Sequence, residues 1–137
     1  MANIQSEEFS YSAGGVEMSG YIAWDSEVEG ERPGVLVVHE WWGNNPYSRS
    51  RARMLAELGY VGMALDMYGN GKNASNPDEA GELMNGLLSD LATVRNRFNA
   101  ALDAMKAHRM VDAGNCAAIG YCMGGGIVLH MARYGAD

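Results

Sequence analysis

The segment Gly34-Val35-Leu36-Val37-Val38 constrains this chain more than any other, because it is an apolar run of strand length without a single polar residue. A strand with one wet face alternates polar and apolar side chains. An unbroken run suits a strand buried on both faces, as in a parallel sheet covered by helices. Val61 to Leu65 and Cys116 to Tyr121 read as two more strands. The helices between them carry their own start signals. Asn45-Pro46 offers a capping amide and a first-turn proline, for a helix running to about Leu58 and stopped by Gly59. Asn76-Pro77-Asp78-Glu79 starts another, with acidic residues in the first turn. Ala80, Leu83, Leu87, Leu91, Val94, Phe98, Leu102 and Met105 then keep helical spacing, and Ser89-Asp90 offers a break into two helices. Asp112 to Asn115 reads as a turn and Gly124 to Tyr134 as a helix. Ahead of all this, Phe9 and Tyr11 alternate, Ala13-Gly14-Gly15 turns, and Val16, Met18, Gly20, Ile22 and Trp24 share one face. A hairpin followed by repeated strand–helix units predicts an α/β fold with a mainly parallel sheet and an N-terminal antiparallel hairpin.

The 137 residues provide one domain, residues 1–137. A net charge of -7 argues against a nucleic-acid partner, which would select a basic patch. No apolar run approaches the roughly 20 residues that span a bilayer, and the N-terminus lacks the basic start and apolar core of a signal peptide. The expectation is a cytoplasmic chain with no membrane partner. Cys116 and Cys122 lie six strand steps apart, roughly 20 Å, too far for a disulfide, and the sequence calls for no metal or organic cofactor.

Gly120-Tyr121-Cys122-Met123-Gly124 has the form G-x-C-x-G between a strand and a helix. This is the spacing of a nucleophile elbow with cysteine in place of serine. The tight turn leaves no room for side chains two residues either side of the nucleophile, so glycine occupies both places. The turn lifts the sulfur out of the sheet, and the next helix aims its N-terminus at it, which favours negative charge there. The Met123 N–H is then free to stabilise an oxyanion. The alternative is a buried cysteine in a glycine-rich loop of the phosphate-binding kind, but neither G-x-G-x-x-G nor G-K-[ST] is present. Cys116, at the other end of the strand, reads as core.

Glu40 closes an otherwise apolar strand, and a carboxylate at that rim is costly without a partner. On a neighbouring strand it would share a rim with Cys122 and could hold the thiol or take its proton. The alternative is a carboxylate that caps a helix or fixes a loop. The Trp41 N–H is the natural second oxyanion donor. Arg49, Arg51 and Arg53 read as a solvated helix face.

Taken together, Gly-Val-Leu-Val-Val-His-Glu-Trp-Trp-Gly, Ala-Leu-Asp-Met-Tyr-Gly and Gly-Tyr-Cys-Met-Gly-Gly, in this order and spacing, resemble the dienelactone hydrolase family of the α/β-hydrolase superfamily. The resemblance covers nearly the whole chain. It implies an α/β-hydrolase fold, Cys122 as nucleophile, Glu40 as the carboxylate that contacts and activates the thiol, and Trp41 and Met123 as backbone oxyanion donors. It implies hydrolysis of lactones or carboxylic esters through an acyl-cysteine.

Family members are much longer, and their triad aspartate and histidine follow the elbow, whereas this sequence has 15 residues after Cys122. The expectation is therefore the N-terminal portion of the fold, without the C-terminal strands and with weak activity or none. None of the three histidines fits the base. His130 sits about 12 Å down the helix, His108 precedes the elbow strand, and His39 should face away from Glu40. Asp137, the last residue, is expected to fray. Between Met67 and Leu88 the only basic residue is Lys72, so no arginine there could hold a substrate carboxylate as in members acting on dienelactone. The rival expectation is a non-catalytic truncated product or assembly partner. Its open sheet edge would pair in a homodimer or with a complementing C-terminal half. A third reading is a thiol redox sensor at Cys122.

Overall fold

A computed structural model describes residues 2–136. Two strands open the chain, β1 (Ile4–Ala13) and β2 (Val16–Asp25). They form a regular antiparallel hairpin in which Ala13 pairs with Val16, turned by Gly14 and Gly15, both at positive φ. The rest alternates: β3 (Arg32–Val38), α1 (Pro46–Glu57), β4 (Val61–Ala64), α2 (Pro77–Leu88), α3 (Leu91–Lys106), β5 (Val111–Gly120) and α4 (Met123–Tyr134). The sheet order is β1-β2-β4-β3-β5, with β3 parallel to both β4 and β5 and the hairpin antiparallel at one edge. Among the described residues no helix is long and apolar enough to cross a membrane.

The caps explain the helix boundaries. The Asn45 side chain accepts from the Ser48 N–H at 3.2 Å, and Pro46 follows it. Asn76 does the same for Glu79 at 2.9 Å. Asp90 accepts from the N–H groups of Ala92 and Thr93, so the long amphipathic stretch does divide at Ser89-Asp90.

The central strands are buried on both sides. Leu36, Val38, Met63 and Ile22 pack with Phe98, Leu102, Met105, Ile127 and Met131 of α3 and α4, while Val37, Ala23 and Ala64 face Ala52 and Ala56 of α1. The α1 face is built from small residues because the helix lies close. A Cβ on Gly62 would sit 2.3 Å from the Ala52 carbonyl oxygen.

Two local expectations are corrected. Residues 112–115 are not a chain-reversing turn. The strand runs through them, and its pairing with β3 slips: Pro33 opposes Asp112, the next residue Gly34 opposes Cys116, and Ala113, Gly114 and Asn115 bulge outward, exposed. Nor do the three arginines of α1 form one solvated face. Arg49 pairs with Glu8 and lies over the Tyr21 ring, and Arg53 donates to the Tyr21 hydroxyl at 2.9 Å. Arg51 points elsewhere, onto the rings of Tyr47 and Tyr121.

Candidate active site

The strands β3 and β5 end level with one another, at Val38 and Gly120. His39-Glu40-Trp41 and Tyr121-Cys122-Met123 therefore leave the sheet side by side at one rim, the C-terminal ends of parallel strands, where α/β folds place their ligands. Cys122 is exposed and has φ 53° and ψ -118°. Only one other described non-glycine residue, Asn70, has positive φ. Such strain in a β-substituted residue persists only where its surroundings enforce it. Here the two flanking glycines do so. A Cβ on Gly120 would meet the Gly124 carbonyl at 2.3 Å, and one on Gly124 would lie 2.1 Å from the Val38 oxygen. The turn can close, and α4 can start against β3, only without those methyl groups.

The first turn of α4 has no side-chain cap. The Gly124 N–H bonds to Tyr121 and the Gly126 N–H to Cys122, but the Met123 N–H has no acceptor among the described residues. The same holds for the Trp41 N–H on the facing loop. Two uncommitted backbone donors thus lie on the two loops that leave this rim, one of them the residue after Cys122. Glu40 is half-buried on that loop, and its carboxylate makes no hydrogen bond among the described residues, to Cys122 or to any other group. Trp41 and Trp42 stack edge-on beside it, with centroids 5.5 Å apart.

The histidines fall away from the sulfur. His39 is fully buried, whereas Glu40 is half-exposed. Its Nε2 accepts from the Met67 N–H at 3.0 Å, and Nδ1 lies 2.6 Å from the Glu40 carbonyl. A backbone N–H can only donate, so the neutral ring carries its proton on Nδ1. Burial holds the imidazole below its ordinary pKa, against the opposing pull of the Glu40 carbonyl and the Asp66 carboxylate. His108 lies at the other end of the sheet, against Trp24 and 3.4 Å from the Glu7 carboxylate. His130 stacks on Tyr134 along α4. Asp137 lies outside the described residues. Cys116 is half-buried and, with Phe98, Leu102, Val128 and Met131, lines an apolar groove of about 230 Å³ that includes neither Cys122 nor Glu40.

The loop after β4 supports this rim, and the sequence reading passed over it. Asp66 is fully buried, and its carboxylate accepts four backbone N–H groups, from Ser19, Tyr68, Gly69 and Gly71, at 2.9–3.0 Å. Gly69, Asn70 and Gly71 all have positive φ, which turns their part of the chain around the carboxylate. Arg97 donates to the carbonyls of Met67 and Tyr68, and the Tyr11 hydroxyl accepts from the Asp66 N–H. Tyr68 then reaches the rim itself. Its hydroxyl donates to the Trp41 carbonyl at 2.7 Å and lies 3.5 Å from the Met123 sulfur, and burial pushes its pKa up to about 12. An aspartate directly after an apolar strand and ahead of a Gly-x-Gly was the available signal.

The dienelactone hydrolase family model matches residues 18–137. The chain is 35% identical over 129 residues to Protein usf of Aquifex pyrophilus, covering 89% of this chain and 53% of that protein. A solved structure named m3DLH superposes with a TM-score of 0.93 at 40% identity, over 97% of this chain and 55% of the other. The dienelactone hydrolase-like promiscuous phosphotriesterase P91 from metagenomic libraries superposes equally well at 38% identity, with the same coverage. The chain spans about half the length of the curated relatives it matches. Motifs, strand order, elbow and superposition agree, and the chain belongs to the dienelactone hydrolase family.

Proposed function

We propose that this chain contributes the nucleophile and oxyanion half of a hydrolase of carboxylic esters or lactones. The observation that carries the reading is the strained, exposed Cys122 at a strand-end rim shared with the loop of Trp41; the free N–H groups of Trp41 and Met123 support it as oxyanion donors. Glu40 takes the thiol proton, and the sulfur attacks the carbonyl carbon. A C–S bond forms while the carbonyl electron pair moves to oxygen, where the two N–H groups hold it. Collapse breaks the bond to the alkoxy oxygen, which takes the proton back from Glu40 and leaves as the alcohol (or, from a lactone, stays as the hydroxyl end of the acyl chain), and an acyl-cysteine remains. Water hydrolyses that thioester, with help from a histidine that none of His39, His108 and His130 can supply from where they sit. In the whole protein that base comes from the part of the family fold beyond these residues. The chemistry calls on no metal or organic cofactor, and the ester or lactone is a small molecule met in the cytoplasm.

The test is p-nitrophenyl acetate with mass spectrometry. One acetyl group should appear on Cys122, with a single burst of p-nitrophenolate, and Cys122→Ala should abolish both. Acetylation spread over Cys116 and lysines, or none at all, would overturn the reading. Sustained turnover would show that the base is already present.

A second reading rests on β5, whose outer edge has no neighbour among the described residues. Such an edge recruits a strand. We propose that it pairs with a further strand of a longer chain, with a second copy, or with a complementing C-terminal half. In that case the 137-residue chain is an assembly partner. Sedimentation at low concentration should show the isolated chain as a dimer or larger species, and a well-folded monomer would count against this.

A further inference from the structure

His39 sits one residue before the glutamate of the rim, yet faces the interior, and the mechanism above gives it no part. Its surroundings do. The Glu40 carbonyl receives the His39 Nδ1–H at 2.6 Å and the Gly43 N–H at 3.2 Å. That carbonyl belongs to the same peptide unit as the Trp41 N–H. No described peptide bond is cis, and in a trans peptide C=O and N–H point in opposite directions. Holding the Glu40 oxygen toward the interior therefore turns the Trp41 N–H outward, to the rim where Cys122 stands. A donor on the carbonyl also polarises the amide and strengthens its N–H as a donor.

The imidazole is itself fixed. The Met67 N–H, in the loop after β4, holds Nε2, and the Tyr68 ring packs against the imidazole with centroids 5.0 Å apart. The Tyr68 hydroxyl holds the next carbonyl, that of Trp41. Both carbonyls flanking the Trp41 α-carbon are thus bound by side chains anchored in or beside the β4 loop.

We propose that His39 is a positioning residue for the oxyanion: through its bond to the Glu40 carbonyl it sets the direction of the Trp41 N–H. The proposal rests on the hydrolase reading above, and its test separates the two. Acylation of Cys122 by p-nitrophenyl acetate passes through an oxyanion. Alkylation by iodoacetamide displaces iodide at a saturated carbon and does not. A group that only orients the oxyanion donor affects the first rate and spares the second.

Two variants divide the roles of the ring. His39→Asn places an amide donor near the Nδ1 position, and His39→Gln places its amide near Nε2, where it serves Met67 but not Glu40. The expected result is a fall of about tenfold or more in acylation for His39→Gln, with alkylation unchanged, and acylation kept within about threefold in His39→Asn. Equal acylation in the two variants, or a parallel fall in acylation and alkylation, would overturn the proposal. If the unsubstituted protein acylates no faster, relative to alkylation, than a free thiol such as N-acetylcysteine, the hydrolase reading fails and takes this proposal with it. Should either variant misfold, nitrogen-15 spectra of the unsubstituted protein decide. They should show a neutral His39 ring protonated at Nδ1, and a proton on Nε2 would refute the proposal.

Discussion

Gly124→Ala is expected to cost about 3 kcal/mol or more of folding stability and to abolish acylation of Cys122. The new methyl would lie 2.1 Å from the Val38 oxygen and 2.7 Å from the His39 oxygen. Both are backbone atoms at the end of a central strand, with no flexible side chain to swing aside. Relief requires α4 to lift off β3, which breaks the elbow. Gly126→Ala, two residues along the same helix, is the control. Its methyl would meet nothing within 4 Å, so it should stabilise the helix by up to about 1 kcal/mol. Urea unfolding of both variants, with mass spectrometry of the acetyl adduct, checks the pair. Equal stabilities would mean that the close approach of α4 to β3 is not a constraint on the fold.

Asp66→Ala should rank beside it, at about 3–5 kcal/mol and a fall in Tm of about 10 °C or more. The substitution leaves four N–H groups, those of Ser19, Tyr68, Gly69 and Gly71, without their acceptor inside the protein. Asp66→Asn should lose a large part of the same stability, because an amide NH2 would point a donor at two other donors. The loss should change little with salt, since the interaction is a set of short buried hydrogen bonds and not a screened surface pair. Thermal unfolding at low and high ionic strength measures both points. A loss under about 1 kcal/mol for the alanine variant would contradict this account of the loop.

Strands and helices were legible in this sequence because their signals are local. The apolar runs, the Asn-Pro starts and the Ser89-Asp90 break each name their own element, and each element stands in the structure. The elbow was legible from its glycine spacing, although only the Gly120 crowding, against Gly124, acts within five residues; Gly124 answers to the backbone of Val38 and His39, far off in sequence. The arginines of α1 show where a local reading stops. Successive helical residues turn by about 100°, so positions two apart diverge and positions four apart align. Arg49 and Arg53 accordingly reach Tyr21 together, while Arg51 reaches Tyr47 and Tyr121. Asp112 to Asn115 carried turn-forming residues, but those residue types serve a bulge as well as a reversal, and only the pairing with β3 distinguishes the two. The Asp66 socket was the least accessible. Its donors come from main-chain N–H groups that every sequence has, and their convergence depends on how the loop closes.

The three unmatched residues of β5 bear on how chain length can vary in this fold. Pairing holds on both sides, at Arg32–Pro33 below and Gly34–Val38 above, and the slack between Asp112 and Cys116 is taken up in solvent. Additions or deletions there would be absorbed before reaching Cys122, six residues past Cys116 and roughly 20 Å away at strand spacing. The bulge is thus a mechanical expansion joint, and the place to graft an affinity tag or a spectroscopic label without disturbing the sulfur.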